Sequence, residues 1–215
     1  MIFFPGNTVR QLVLLTVFAA LCIGGANAKE IQIVALGTSF TAGKGVSPSD
    51  AFPARLEKML RADGENVQVS NRGINGNTTR DILDRIRYAV PEDVQIVIYE
   101  YARGNDNKRG INPEETVKNT EEIISDLVAR KIQVLLVIRG RNSTQLQAHM
   151  NWFREIVSRY GILSLAIEQP ESSLQRDRQH PTAEAHGLIA ATMVGPVKQL
   201  IERTRAGSRV DIPAR

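Results

Sequence analysis

Ile31-Gln32-Ile33-Val34-Ala35-Leu36-Gly37-Thr38-Ser39-Phe40-Thr41-Ala42-Gly43 is the stretch on which the reading of this chain turns. Its first six residues form a short, mainly apolar run, half of it β-branched, bounded by glycine, the pattern of a strand buried on both faces. Gly37 and the hydroxyl residues after it read as a βα loop, with Ser39 just past the strand end, where a sharp turn exposes its hydroxyl. This is not the G-x-S-x-G elbow, because Thr41 stands where that motif has glycine. Taken alone, so short a motif is better explained as a polar connection.

Four further runs repeat the strand pattern, at 67–71, 94–99, 134–138 and 162–167. Amphipathic segments with apolar residues at three-to-four spacing separate them. Asp50 and Pro53 open one that carries Leu56, Met59 and Leu60; Thr79 opens another with Ile82, Leu83 and Ile86. Asn112 caps a third, with Pro113 in the first turn where a missing N–H costs nothing. Ser143 or Thr144 caps a fourth, and Thr182 a last one ending near Arg203. Strict alternation predicts the α/β class: one three-layer domain over 29–205 around a five-stranded parallel sheet, followed by a flexible tail at 206–215.

The beginning of the chain is different. Arg10 is the only charged residue before Lys29, an uncharged run covers 12–23, and Ala26-Asn27-Ala28 follows. That is the layout of a signal peptide cleaved after Ala28, and so of a periplasmic or secreted protein. A run of this length falls short of the roughly 20 residues a bilayer needs, so no stable membrane span is expected. Leu21 before Cys22 does not suit a lipidation site. Cys22 is the sole cysteine, so cleavage leaves no thiol for a disulfide, a nucleophile or a metal site. The 27 basic residues barely exceed the 23 acidic ones, too small a surplus to imply nucleic acid, and a monomer stabilised by packing alone is expected.

In a wound α/β sheet, ligands gather at the carboxyl ends of the strands. The loop after the second predicted strand, Asn71-Arg72-Gly73-Ile74-Asn75-Gly76-Asn77-Thr78-Thr79, leads into a helix start with free N–H groups. The next carries Arg103-Gly104-Asn105-Asp106, whose Asn105 amide is a second donor. The loop after the fifth carries Asp177-Arg178-Gln179-His180-Pro181. The spacing lets Asp177 hold one imidazole nitrogen of His180 while the other faces a serine hydroxyl, the orienter-and-base relationship of a catalytic triad. His149 and His186 fall within predicted helices and read as surface or packing residues. Together these loops place a nucleophile, oxyanion donors, a base and its orienter on one rim.

These four blocks, in this order, resemble the SGNH hydrolases, also known as GDSL-type esterases and lipases. The resemblance runs from about Ile31 to Leu200, including Asp50-Ala51-Phe52-Pro53-Ala54-Arg55-Leu56. It is greatest toward secreted bacterial arylesterases and periplasmic thioesterases with lysophospholipase activity. It implies a flavodoxin-like sheet, a catalytic triad of Ser39, His180 and Asp177, and an oxyanion hole formed by the Ser39 N–H, the Gly76 N–H and the Asn105 side chain. No metal or cofactor is implied. Two positions depart from the family pattern. Thr38 stands where relatives have aspartate, and Glu100-Tyr101-Ala102-Arg103-Gly104-Asn105-Asp106 is one residue longer than Glu-x-Gly-Gly-Asn-Asp, which predicts a bulge to bring Asn105 into place.

The predicted rim is also rich in cations, among them Arg72 and Arg103, read as substrate-binding residues for an ester or lipid, anionic by preference. The short segment at 139–144 points to small or medium acyl groups. A carbohydrate O-acetylesterase is the second enzymatic reading, and an exported binding protein that keeps the fold without turnover is the reading of another class.

Overall fold

The computed structural model describes residues 29–207; the leader at 1–28 and most of the tail lie outside the described residues. Five strands, β1 (Ile31–Gly37), β2 (Val67–Gly73), β3 (Ile96–Glu100), β4 (Gln133–Gly140) and β5 (Leu163–Glu168), form one parallel sheet in the order β2-β1-β3-β4-β5. This is the flavodoxin-like order, and the winding reverses between β1 and β3. Helices cover both faces, as a parallel sheet requires.

Alternation along the strands divides the core. Val34, Leu36, Val97, Tyr99, Val134 and Leu136 face α3 (Thr79–Ala89), α5 (Pro113–Ala129) and α6 (Ser143–Tyr160). Ile33, Ala35, Ile96, Ile98, Leu135 and Val137 face α2 (Phe52–Ala62) and α7 (Ala183–Arg205). Two short helices, α1 (Ser39–Ala42) and α4 (Arg103–Lys108), occupy loops expected to be irregular. One or two turns hold too few apolar positions to show a period.

Asn112 and Thr182 cap α5 and α7 as expected, each accepting from a backbone N–H three residues on. Three other starts differ by a residue or more. Thr78, not Thr79, caps α3, in a reciprocal box with Asp81, and Asn142 rather than Ser143 or Thr144 caps α6. Helix α2 begins at Phe52 without a side-chain cap, because Asp50 is engaged with Ser47 Oγ and the Arg55 guanidinium, both at 2.6 Å. Helix α7 runs to Arg205.

His186 is a packing residue, fully buried against the Phe40 and Phe52 rings, and its Nδ1 accepts from the Phe52 N–H at 3.2 Å. Burial, with the Arg55 charge nearby, pushes its pKa from 6.5 down to about 4. The unfolded chain therefore takes up a proton below about pH 6.5 that the native ring refuses until about pH 4. Stability present above that window is lost as pH falls through it, on the order of 3 kcal/mol in total. Urea unfolding at pH 7 and pH 4 should show a smaller acid loss for His186→Gln than for the natural chain; equal losses would contradict this assignment.

Candidate active site

The turn after β1 is tight because a charged group lies beneath it. Glu100, the last residue of β3, is 0% exposed, and its carboxylate accepts from the Thr38 N–H at 2.7 Å, the Thr38 hydroxyl at 3.0 Å and the Thr41 hydroxyl at 3.1 Å. A Cβ on Gly37 would stand 2.2 Å from Thr41 Oγ1 and 2.5 Å from Glu100 Oε2, so glycine is required for this approach. Arg139, near the end of β4, supplies the opposing charge: its Nη2 donates to Glu100 Oε1 at 2.6 Å while its guanidinium lies 4.2 Å from the Phe40 ring centroid. Thr38 thus fits its position chemically. An aspartate there would set a second carboxylate against Glu100, whereas a hydroxyl donates to it. From sequence Glu100 is not read as a site residue and Arg139 only as one of the rim cations, not as its partner; the one signal for the pair is a glutamate ending an otherwise apolar strand.

Ser39 is half-buried at the first position of α1. Its Oγ lies 2.9 Å from His180 Nε2, and His180 Nδ1 lies 2.5 Å from Asp177 Oδ2. The carboxylate partner places the ring proton on Nδ1 and leaves Nε2 to accept from the serine. Asp177 Oδ1 also accepts from the Gln179 and His180 N–H groups at 2.9 and 3.0 Å. The His180 hydrogen bond, then these two amides, hold the Asp177 carboxyl well below the usual carboxylate range. An antiparallel bridge between Leu174 and Pro181 closes the loop that carries the pair, and Gln175 Nε2 donates to the Lys44 carbonyl at 2.9 Å, tying that loop to the segment after Ser39.

Gly76 lies in the loop after β2 with φ 81°, a conformation that favours glycine. Neither the Ser39 nor the Gly76 N–H meets an acceptor among the described residues. Asn105 Nδ2 donates one hydrogen to the Asn77 carbonyl at 2.8 Å, which leaves its other hydrogen free. No bulge brings Asn105 there. The β3–β4 register continues unbroken to Glu100↔Val137, and the extra residue is absorbed before and within the first turn of α4. Asp106 is wholly buried and accepts from Thr79 N, Thr79 Oγ1 and Thr116 Oγ1 at 2.8, 2.8 and 2.7 Å, fixing α4 against α3 and α5.

Ser39, Gly76, Asn105 and His180 all line one cleft of about 570 Å³ at the carboxyl ends of the strands. Arg103 lines it too; Arg72 does not, lying exposed at the end of β2. His149, read from its helix as a surface or packing residue, is buried yet reaches the cleft wall, with Nδ1 at 2.6 Å from the Tyr101 hydroxyl and 2.8 Å from the Arg139 carbonyl. Burial, then the nearby Arg103 and Arg139 charges, lower its pKa despite the Arg139 carbonyl. Among the described residues no group of three His, Cys, Asp or Glu side chains is arranged to hold a metal ion, and no helix is long and apolar enough to cross a membrane.

Comparison with known proteins agrees with this architecture. The chain is 27% identical over 187 residues to an arylesterase of Vibrio mimicus, covering 82% of this chain and 93% of the relative. It is also 27% identical over 206 residues to thioesterase 1/protease 1/lysophospholipase L1 of Escherichia coli K12, covering 91% and 96%. Among solved structures, TesA superposes with a TM-score of 0.70 at 22% identity, over 79% of this chain and 99% of that one, a likeness of fold. The model of the GDSL-like lipase/acylhydrolase family matches residues 35–188, and the chain belongs to this family of SGNH-type ester hydrolases.

Proposed function

We propose that the protein is a serine esterase of the arylesterase, thioesterase or lysophospholipase type, working through an acyl-enzyme on Ser39. The observation that carries this reading is the Asp177–His180–Ser39 relay, at 2.5 and 2.9 Å, opening on the cleft. Ser39 Oγ attacks the acyl carbonyl as His180 Nε2 takes its proton, and Asp177 stabilises the imidazolium. The Ser39 and Gly76 N–H groups and the free Asn105 hydrogen face the developing oxyanion, a donor of this kind being worth about 3–4 kcal/mol in the transition state. Collapse expels the alcohol or thiol, which takes the proton from His180. Water, deprotonated by the same nitrogen, then releases the acid and restores Ser39.

The relatives' names favour aryl esters, thioesters and lysophospholipids. A panel of p-nitrophenyl acetate and butyrate, an acyl-CoA, lysophosphatidylcholine and acetylated xylan tests this. Turnover is expected for the first three classes; exclusive turnover of xylan acetate would replace the reading with a carbohydrate O-acetylesterase, and no turnover at all would favour an exported binding protein. We also place the mature enzyme in the periplasm or outside the cell, as a monomer that binds no nucleic acid. The Arg10, 12–23 and Ala26-Asn27-Ala28 pattern supports export, and the N-terminal mass of the exported protein should begin at Lys29.

A further inference from the structure

The charge around the cleft is one-sided. Lys44, Arg103, Lys108, Arg109, Arg139 and Arg141 line it, and no carboxylate does. Arg139 is matched by Glu100, whereas the other five form no ion pair among the described residues. Lys108 donates to the neutral Gln179 side chain and Arg141 to the Arg178 carbonyl, both at 2.6 Å, so the hydrogen-bond partner of each is neutral. Arg103 is the most telling of the five. Its guanidinium lies 5.2 Å from the Trp152 ring centroid, and its Nη1 is buried with no hydrogen-bond partner among the described residues. Leaving a charged donor buried and unmet is costly, so a site that retains one is completed by an acceptor from elsewhere. A guanidinium held over an aromatic ring presents its edge, and that edge matches a carboxylate or a phosphate.

We propose that the cleft selects esters bearing a negatively charged group, a carboxylate or phosphate, anchored by Arg103 and drawn in by Lys108 and Arg141 at its mouth. This rests on the hydrolase reading above. A merely solvated basic surface would lack the buried, unpartnered Arg103 nitrogen and would carry interspersed carboxylates. Low-dielectric walls of one sign raise the local concentration of an oppositely charged substrate.

The test compares 3-acetoxybenzoate and 3-acetoxyphenyl phosphate with the neutral 3-acetoxybenzamide, and the phenyl monoester of adipic acid with its amide. The first set puts the charge on the leaving group and the second on the acyl chain. At low salt, kcat/KM for the charged member of at least one set should exceed that of its neutral counterpart by about tenfold. In about 0.5 M sodium chloride the advantage should shrink to about twofold. Arg103→Gln should cut the low-salt advantage at least fivefold, and Lys108→Gln with Arg141→Gln, at exposed positions, should cut it too if the Arg103 variant fails to fold. Equal kcat/KM within both sets, or an advantage untouched by these variants and by salt, overturns the proposal while leaving the hydrolase reading intact. If nothing is hydrolysed, the hydrolase reading fails on its own. Binding of benzoate and phenyl phosphate against benzamide to Ser39→Ala then decides the matter: tighter anion binding that Arg103→Gln abolishes supports it, and equal binding sinks it.

Discussion

Ser39→Ala should lower kcat on p-nitrophenyl acetate roughly a millionfold while leaving thermal stability within a degree or two. The magnitude follows from the relay. On the proposed mechanism, losing the hydroxyl removes the acyl-enzyme, and the residual rate should come from the cleft and the proposed oxyanion donors acting on water. Because the Ser39 Oγ–His180 Nε2 contact at 2.9 Å and the His180 Nδ1–Asp177 contact at 2.5 Å make the three residues one unit, their losses should not add. Ser39→Ala combined with His180→Ala should be no slower than either alone, and Asp177→Asn should cost about 10⁴, since it reverses the hydrogen bond that fixes the imidazole tautomer. Losses that multiply across the double variant would mean that the three residues act separately.

The second large effect is expected beneath the Ser39 turn. Glu100→Gln removes a charge that is 0% exposed and leaves the Arg139 guanidinium without its 2.6 Å partner. Breaking one half of a buried pair costs about 3–5 kcal/mol, which for a domain of this size lowers Tm by roughly 10 °C. The Thr38 N–H and the Thr38 and Thr41 hydroxyls would meet an amide in place of a carboxylate. The turn presenting Ser39 should then loosen, and kcat should fall at temperatures where the variant is still folded. Pairing Glu100→Gln with Arg139→Gln should restore part of the stability, because no unmatched charge is left. A Tm within 2 °C of the natural chain, with unchanged kcat, would show that the ion pair does not brace the turn.

These two predictions differ in how far the sequence alone could have reached them. The Ser39 turn was legible because a buried strand followed by glycine and serine leaves few conformations, and the Asp177-to-His180 spacing carries its own geometry. The sheet was legible because β-branched runs alternate with helical periods, and Asn112 and Thr182 announced their helices through local hydrogen bonds. Glu100 was not legible as a brace, since its partners lie 59 and 62 residues before it, and Arg139 39 residues after it. Nor was the short α4 helix, which takes up the extra residue before Asn105 where a bulge was expected. Arg72 and Arg103 looked alike as loop cations; only the packing of Arg103 over Trp152 sets it inside the cleft while Arg72 stays on the surface. Contacts set by tertiary packing have no counterpart in local periodicity.

Covalent labelling is the most direct test of the central claim. The protein, incubated with a fluorophosphonate and digested, should yield one modified residue, Ser39, with the adduct absent from Ser39→Ala and nearly absent from His180→Ala. A natural chain that stays unlabelled, or that carries the adduct on another residue, would contradict an acyl-enzyme mechanism centred on Ser39.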